Sequence, residues 1–166
     1  MKSLAAIAIL IFVSTVKAQT PPSVVTFLGD PKSPIASGVG IPAGRAYFCT
    51  SGTVPSVINK DGASLHERYG DTYTQGVSCL KNIEKVLSQH GLAMKDIVYL
   101  RVYVVPDPIK GGRPDFEGWF KAHGESFNNE NNPGKTARST VGVQSLVNPD
   151  WLIEIEAVAV YPAERP

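Results

Sequence analysis

TARSTVGVQSLVNPDWLIEIEAVAV, residues 136–160, places one arginine and two glutamates inside otherwise apolar strand sequence. A charge in such a setting needs a partner or a ligand, because burying it alone is costly. Over 137–143, Arg138, Thr140 and Gly142 fall on one face and Ser139, Val141 and Val143 on the other, the two-residue period of a strand. Over 151–160, Ile153, Ile155, Ala157 and Ala159 form an apolar face, and Glu154 and Glu156 point the opposite way. Asn148-Pro149-Asp150, within 144–150, supplies turn chemistry that would join the two strands as a hairpin. With Val143 opposite Trp151, Arg138 comes opposite Glu156 and Thr140 opposite Glu154. The arginine and both carboxylates would then share a face as a candidate anion pocket.

The start of the chain reads as a secretory leader. Met1-Lys2-Ser3 is a short positive opening, 4–13 is an apolar run, and Val16-Lys17-Ala18 is a small-residue cleavage site. The run is too short to cross a bilayer. Residues 1–18 are therefore expected to be removed near Ala18. The mature chain, 19–166, is expected in a periplasm or outside a cell, with no membrane span. Removing Lys2 and Lys17 leaves 14 of the 16 basic residues against 15 acidic ones, a formal charge near −1. That balance offers nothing to attract nucleic acid. The mature length suits one domain with its own core.

Along that domain the pattern predicts strands at 38–41 and 45–51, a helix over 72–89, and a strand at 97–105. A short helix over 115–123 and the C-terminal hairpin follow. In the first helix Cys79, Ile83, Val86 and Leu87 recur at helical spacing, a stripe that should lie on the sheet. Gly91 is a natural stop. This order places both helices on one face of a single mixed β-sheet, an α+β architecture. The other sheet face, half polar and half valine, would be covered by another subunit.

The segment Thr136-Ala137-Arg138-Ser139-Thr140-Val141, followed by Glu154-Ile155-Glu156-Ala157-Val158-Ala159, resembles the C-terminal signature of the Rid (reactive intermediate deaminase, formerly YjgF) family. Earlier pieces agree in order: Thr50-Ser51-Gly52 at a strand end, Gln75 and Asn82 in the first helix, and Asp96-Ile97-Val98 opening the next strand. The resemblance runs from about Pro34 to Val160. It implies a chorismate mutase-like fold assembled as a homotrimer, with sheets facing inward and ligand sites in the clefts between subunits. It also implies hydrolysis of 2-imino or enamino acids to 2-keto acids and ammonia, with no metal or organic cofactor.

Residue by residue, the resemblance gives Arg138 the substrate carboxylate, which the planar guanidinium fork suits through two parallel hydrogen bonds. From the strand pattern alone, Arg138 would equally well pair with Glu156 across the hairpin. Glu154 would position or activate the attacking water, and in its protonated form assist the departure of ammonia. Two glutamates on one strand face lie about 6 to 7 Å apart, so burial and mutual repulsion should raise at least one pKa. Glu156 is read as structural, a partner for Arg138 or for a neighbouring subunit. The backbone at Ser51 and Gly52 would close the pocket, glycine permitting close approach of a ligand; a plain strand-ending turn is the alternative for Gly52. Thr140, on the Arg138 face, completes the expected substrate contacts together with Ile35 and Phe120.

Those last two depart from the family pattern. The usual G-P-Y-S segment stands here as Ser33-Pro34-Ile35-Ala36, so Ile35 replaces a cleft tyrosine. Phe120, beside Trp119, stands where an asparagine is often found, and the loop 106–114 is longer than usual. Bulkier apolar groups favour a larger or more hydrophobic substrate, or block turnover; the pair 119–120 would otherwise be ordinary core. A non-catalytic trimer that binds a carboxylate ligand or protects other proteins is therefore the alternative. The ribonuclease activity attached to some relatives is disfavoured by the near-neutral charge. His66, His90 and His123 show no metal-ligand spacing. Cys49 and Cys79 would meet across the helix–sheet interface, as a disulfide if their Cα atoms lie within about 7 Å and otherwise as two buried thiols.

Overall fold

The computed structural model describes residues 21–163; the expected leader, 1–18, lies outside them. Strand β1 (Thr26–Leu28) pairs antiparallel with β2 (Gly38–Gly40) as a separate two-stranded ribbon. The main sheet is built from β3 (Tyr47–Cys49), β4 (Ile97–Val104), β7 (Ala137–Gly142) and β8 (Ile153–Val160), in the order β3-β8-β4-β7. Between β4 and β7 runs an excursion in which β5 (Pro106–Asp107) pairs with β6 (Arg113–Pro114) around a 3-10 turn. A five-residue helix, α1 (Leu65–Tyr69), precedes the long α2 (Thr72–Gln89), and α3 (Phe116–Ser126) precedes β7. Among the described residues no helix is long and apolar enough to cross a membrane.

The α+β architecture, one main mixed sheet with helices on one face, is as expected; α1, β1 and the ribbon are additions. Helix α2 begins where Asp71 accepts a hydrogen bond from the Thr74 amide at 2.9 Å, an N-cap that satisfies a donor the helix leaves free. Its buried face carries Gln75, Gly76, Cys79, Leu80, Ile83 and Leu87. At Gly76 the helices cross closely: a Cβ there would lie 3.0 Å from that of Ala122 on α3. Beneath them lie Leu100, Val102 and Val104 of β4 and Ile153, Ile155, Ala157 and Ala159 of β8, all essentially inaccessible. Each such aliphatic side chain contributes roughly 1.5–3 kcal/mol by leaving water.

The expected C-terminal hairpin does not form. Strands β7 and β8 are separated by β4, which pairs parallel with β7 and antiparallel with β8. A parallel strand must be reached by a crossover, and α3 supplies it, carrying the chain over the covered face to the far side of β4. Strand β8, with four apolar residues on one face, takes a central position; β7, with Arg138, Ser139, Thr140 and Gly142, takes the edge. Consequently Arg138 stands opposite Leu100, Thr140 opposite Val102, Glu156 opposite Arg101 and Glu154 opposite Tyr103. Because partners in register share a face, Arg138 and Thr140 lie on the helix-covered face and both glutamates on the open face. The single-face anion pocket is thereby overturned.

The cysteines are separated in the same way. Cys49, opposite Val158 on the open face, is exposed, while buried Cys79 packs its Sγ 3.8 Å from the Ile153 carbonyl oxygen on the covered face. Both thiols are free, with the sheet between them.

Candidate functional site

Two groups of candidate residues emerge, at opposite faces of the sheet. The first surrounds Arg138. Its guanidinium carbon lies 4.6 Å from the Phe120 ring centre and 5.7 Å from that of Trp119, within range of cation–π attraction. Nη1 is buried and has no hydrogen-bond partner among the described residues. Burial holds the Arg138 pKa down to about 10, so the group remains a cation at neutral pH. Burial, reinforced by the Arg138 charge, pushes His123 down to about 3. This imidazole is therefore neutral, and its Nε2 lies 3.3 Å from Thr136 Oγ1. Thr140 accepts a hydrogen bond from Trp119 Nε1 at 3.2 Å, which anchors α3 to the edge strand. In sum, a desolvated, unpaired cation rests on aromatic rings.

The second group lies at the β3–β8 junction. Thr50 and Thr53 pair with Ala157 and Ile155 through amide hydrogen bonds of 2.9 and 2.8 Å, so Ser51 and Gly52 together face the single residue Glu156. This is a β-bulge, a device that re-aims neighbouring side chains. Glu154 packs directly on it: a Cβ at Gly52 would fall 1.7 Å from Glu154 Oε1. With glycine at position 52 the Glu154 carboxylate lies against the backbone of the bulge, and any side chain there would require the glutamate to move. Among the described residues Glu154 has no cationic partner.

The motif residues of α2 support this junction. Asn82 Nδ2 donates to the Val54 carbonyl at 3.0 Å and to Ser56 Oγ at 3.1 Å, holding the segment that follows the bulge. Buried Gln75 donates to the Asp150 carbonyl at 3.1 Å and accepts from the Leu152 amide at 2.8 Å, which sets the start of β8 just before Glu154. The Asn148-Pro149-Asp150 turn is held from the other side by Arg68, whose Nε and Nη2 grip both Asp150 oxygens at 2.6 and 2.8 Å.

Glu156 does not partner Arg138. Arg101 Nη1 lies 3.0 Å from Glu156 Oε2, and Tyr103 donates to the other oxygen at 3.1 Å. The expected Arg138–Glu156 pair is thus replaced by an Arg101–Glu156 pair within the sheet. Arg101, like Arg138, is a lone charge in an apolar strand, and that same signal marks it in the sequence. Ile35 sits beside the entry to β7, where the Ala36 amide donates to the Thr136 carbonyl at 3.2 Å. There Ile35 lines a hollow of about 290 Å³ with Phe27, Leu28 and Lys135. Arg138, Thr140 and Phe120 are thus brought together, as are Ser51, Gly52 and Glu154, but the two groups are not brought together within one subunit. No group of three or more potential metal ligands clusters among the described residues.

The Endoribonuclease L-PSP family model matches residues 39–161. No curated protein matches the chain. Among solved structures the chain is similar to YyfB from Yersinia pestis, a protein of unknown function in the conserved Rid family, at 28% identity. That likeness covers 82% of this chain and 98% of YyfB, with a TM-score of 0.62. It is also similar to the YjgF gene product of E. coli at 31% identity, covering 79% and 91% of the two chains with a TM-score of 0.55. E. coli TdcF with bound serine shares the fold at 24% identity, with 82% and 99% covered and a TM-score of 0.55. The bulge at Ser51–Gly52, the arginine edge strand and the Glu154 strand all lie inside the matched region, and the chain belongs to the Endoribonuclease L-PSP family, the Rid or YjgF proteins.

Proposed function

We propose that the protein is a 2-imino or enamino acid deaminase acting as a homotrimer, with each site in a cleft between subunits. The observation that carries this reading is Arg138: a half-buried guanidinium whose buried Nη1 lacks a partner among the described residues, stacked on Phe120 and ready for a carboxylate. A bidentate pair there contributes on the order of 1.5–3 kcal/mol per charge-assisted bond. Arg138 and Glu154 lie on opposite faces, with β4 between their strands. One ligand therefore meets both only if Arg138 comes from one subunit and Glu154, with its Ser51–Gly52 bulge, from the next. The open sheet face, with Tyr47 and Val141 exposed, is the surface such an assembly would cover.

In the reaction, the carboxylate of the imino acid pairs with Arg138, which fixes the imine carbon in the cleft. Glu154 takes a proton from water as it adds to that carbon and passes it to the imine nitrogen, giving a carbinolamine; the same carboxyl then carries the hydroxyl proton to the nitrogen as the C–N bond breaks and the C=O bond forms. The products are a 2-keto acid and ammonia. Positioning and proton transfer suffice, since the imine carbon is already electrophilic. We place the mature protein, from Gln19, in a periplasm or outside the cell. N-terminal sequencing of the mature chain checks this, and a start at Met1 would count against it.

The test is ammonia release from imino acids generated in situ by an amino-acid oxidase, comparing the wild type with Arg138→Ala. Acceleration that drops by at least about 100-fold in the variant supports the reading. A trimer that binds 2-keto acids yet leaves the spontaneous rate unchanged would instead be a carboxylate-binding protein.

A further inference from the structure

The outward face of α3 changes character along its length. Glu117, Lys121 and Glu125 are polar, as a surface helix requires, while Phe116 and Phe120 remain 37% and 47% exposed. They are not spare core residues, because Trp119, Ala122 and Phe127 already fill the interior beneath this part of the chain. Four positions apart, the two phenylalanines sit one turn above the other. Their rings stack with centroids 6.4 Å apart and planes 19° from parallel. Arg138 stands at the Phe120 end, 4.6 Å from that ring. At the other end the ledge meets Gly142 and Pro114, a Cβ at Gly142 lying 3.7 Å from Phe116 Cζ and 3.1 Å from Pro114 Cγ. The excursion β5–β6 ends at Pro114 and so supplies that wall.

We propose that this ledge makes the site selective for carboxylates bearing an aromatic or similarly broad apolar side chain, with Phe116 and Phe120 as specificity-determining residues. The inference rests on Arg138 being the carboxylate anchor. A carboxylate paired with the in-plane N–H groups of Arg138 leaves its side chain beside the Phe120 and Phe116 rings. A methyl group covers little of that surface; an aryl ring buries much of it and adds ring–ring attraction.

The experiment is calorimetric binding of phenylpyruvate and of pyruvate to the full-length mature protein, alongside ammonia release from the imino acids of phenylalanine and alanine. Phenylpyruvate is expected to bind at least about tenfold tighter. Phe116→Ala should shrink that ratio to roughly threefold or less, while Ile109→Ala, an exposed apolar residue of the same excursion, should preserve it. Equal affinities, or a ratio that Phe116→Ala does not alter, would overturn the proposal. A preserved ratio without ammonia release would support the ledge and reject the deaminase. Failure of the folded trimer to bind either carboxylate would overturn the ledge together with the anchor.

Discussion

Arg101 and Arg138 are lone cations in neighbouring strands, one residue out of register, since Arg101 stands opposite Ser139 and Arg138 opposite Leu100. That single step puts them on opposite faces with opposite fates. Arg101 is half-exposed, paired with Glu156 and flanked by Tyr103; hydrogen bonding to Tyr103 and the Glu156 charge raise its pKa. Arg138 is partly desolvated, its Nη1 has no partner among the described residues, and burial lowers its pKa. A satisfied surface ion pair contributes about 0–1 kcal/mol to stability, whereas a buried group left unpaired costs about 1–3 kcal/mol. The difference separates an arginine that braces a sheet from one whose Nη1 is left without a partner among the described residues.

The contrast is broken most directly by activity. Arg138→Met should lower kcat/KM for ammonia release by at least about 100-fold, while Arg101→Met changes it by less than about threefold. Comparable losses in both would place the open face in the reaction and undo the distinction.

A second test concerns the shell around Arg138. The folded-state pKa of His123 is depressed to about 3, so between the ordinary histidine range and pH 3 the unfolded chain binds the extra proton. Stability should therefore fall as pH drops through that window, this one group contributing a slope approaching about 1.4 kcal/mol per pH unit. Urea unfolding at stepped pH, with wild type and His123→Gln compared, reads it. An acid limb equally steep in the variant would show that His123 is not the titrating group.

The smallest effects are the stabilities of the same two arginine variants. Arg138→Met should raise the unfolding free energy by about 1 kcal/mol, since it removes a desolvated charge without a partner. Arg101→Met should lower it by less than about 1 kcal/mol, and less again in high salt. Destabilisation by Arg138→Met would mean that the guanidinium is already satisfied in the assembled protein. The Arg138 pKa of about 10 also gives a sign: the penalty for folding the cation is complete below pH 10 and is relieved between there and the ordinary arginine range, while carboxylate binding is lost as pH rises through 10.

Much of this was legible in advance because it is local. The helix over 72–89 agrees with α2 at both ends, since Asp71 caps it and its apolar stripe repeats every three and four residues. The alternation in 153–160 placed Ile153, Ile155 and Ala157 inward and Glu154 and Glu156 outward. Three features were not legible. The partner of β7 depends on the crossover through α3, and strands adjacent in sequence invite a hairpin unless that route is known. The seating of Glu154 against the Gly52 backbone joins residues about a hundred positions apart. His66 and Asp107 meet at 2.9 Å, with the Asp107 carboxylate fully buried, but neither stands in a pattern that points to the other.

The sequence by itself determined the main helices and strands, which residues share a face within each strand, and the family through its ordered motifs, because these depend on side-chain period and local chemistry. Only the tertiary structure decided which strands are neighbours, and hence that Glu156 neutralises Arg101 and that Arg138 Nη1 has no partner among the described residues. The physical reason is that a strand's own alternation fixes what shares its face, while pairing and crossover direction decide which face meets the helices. Glu154 and Arg138 were thereby assigned to opposite sides of the sheet.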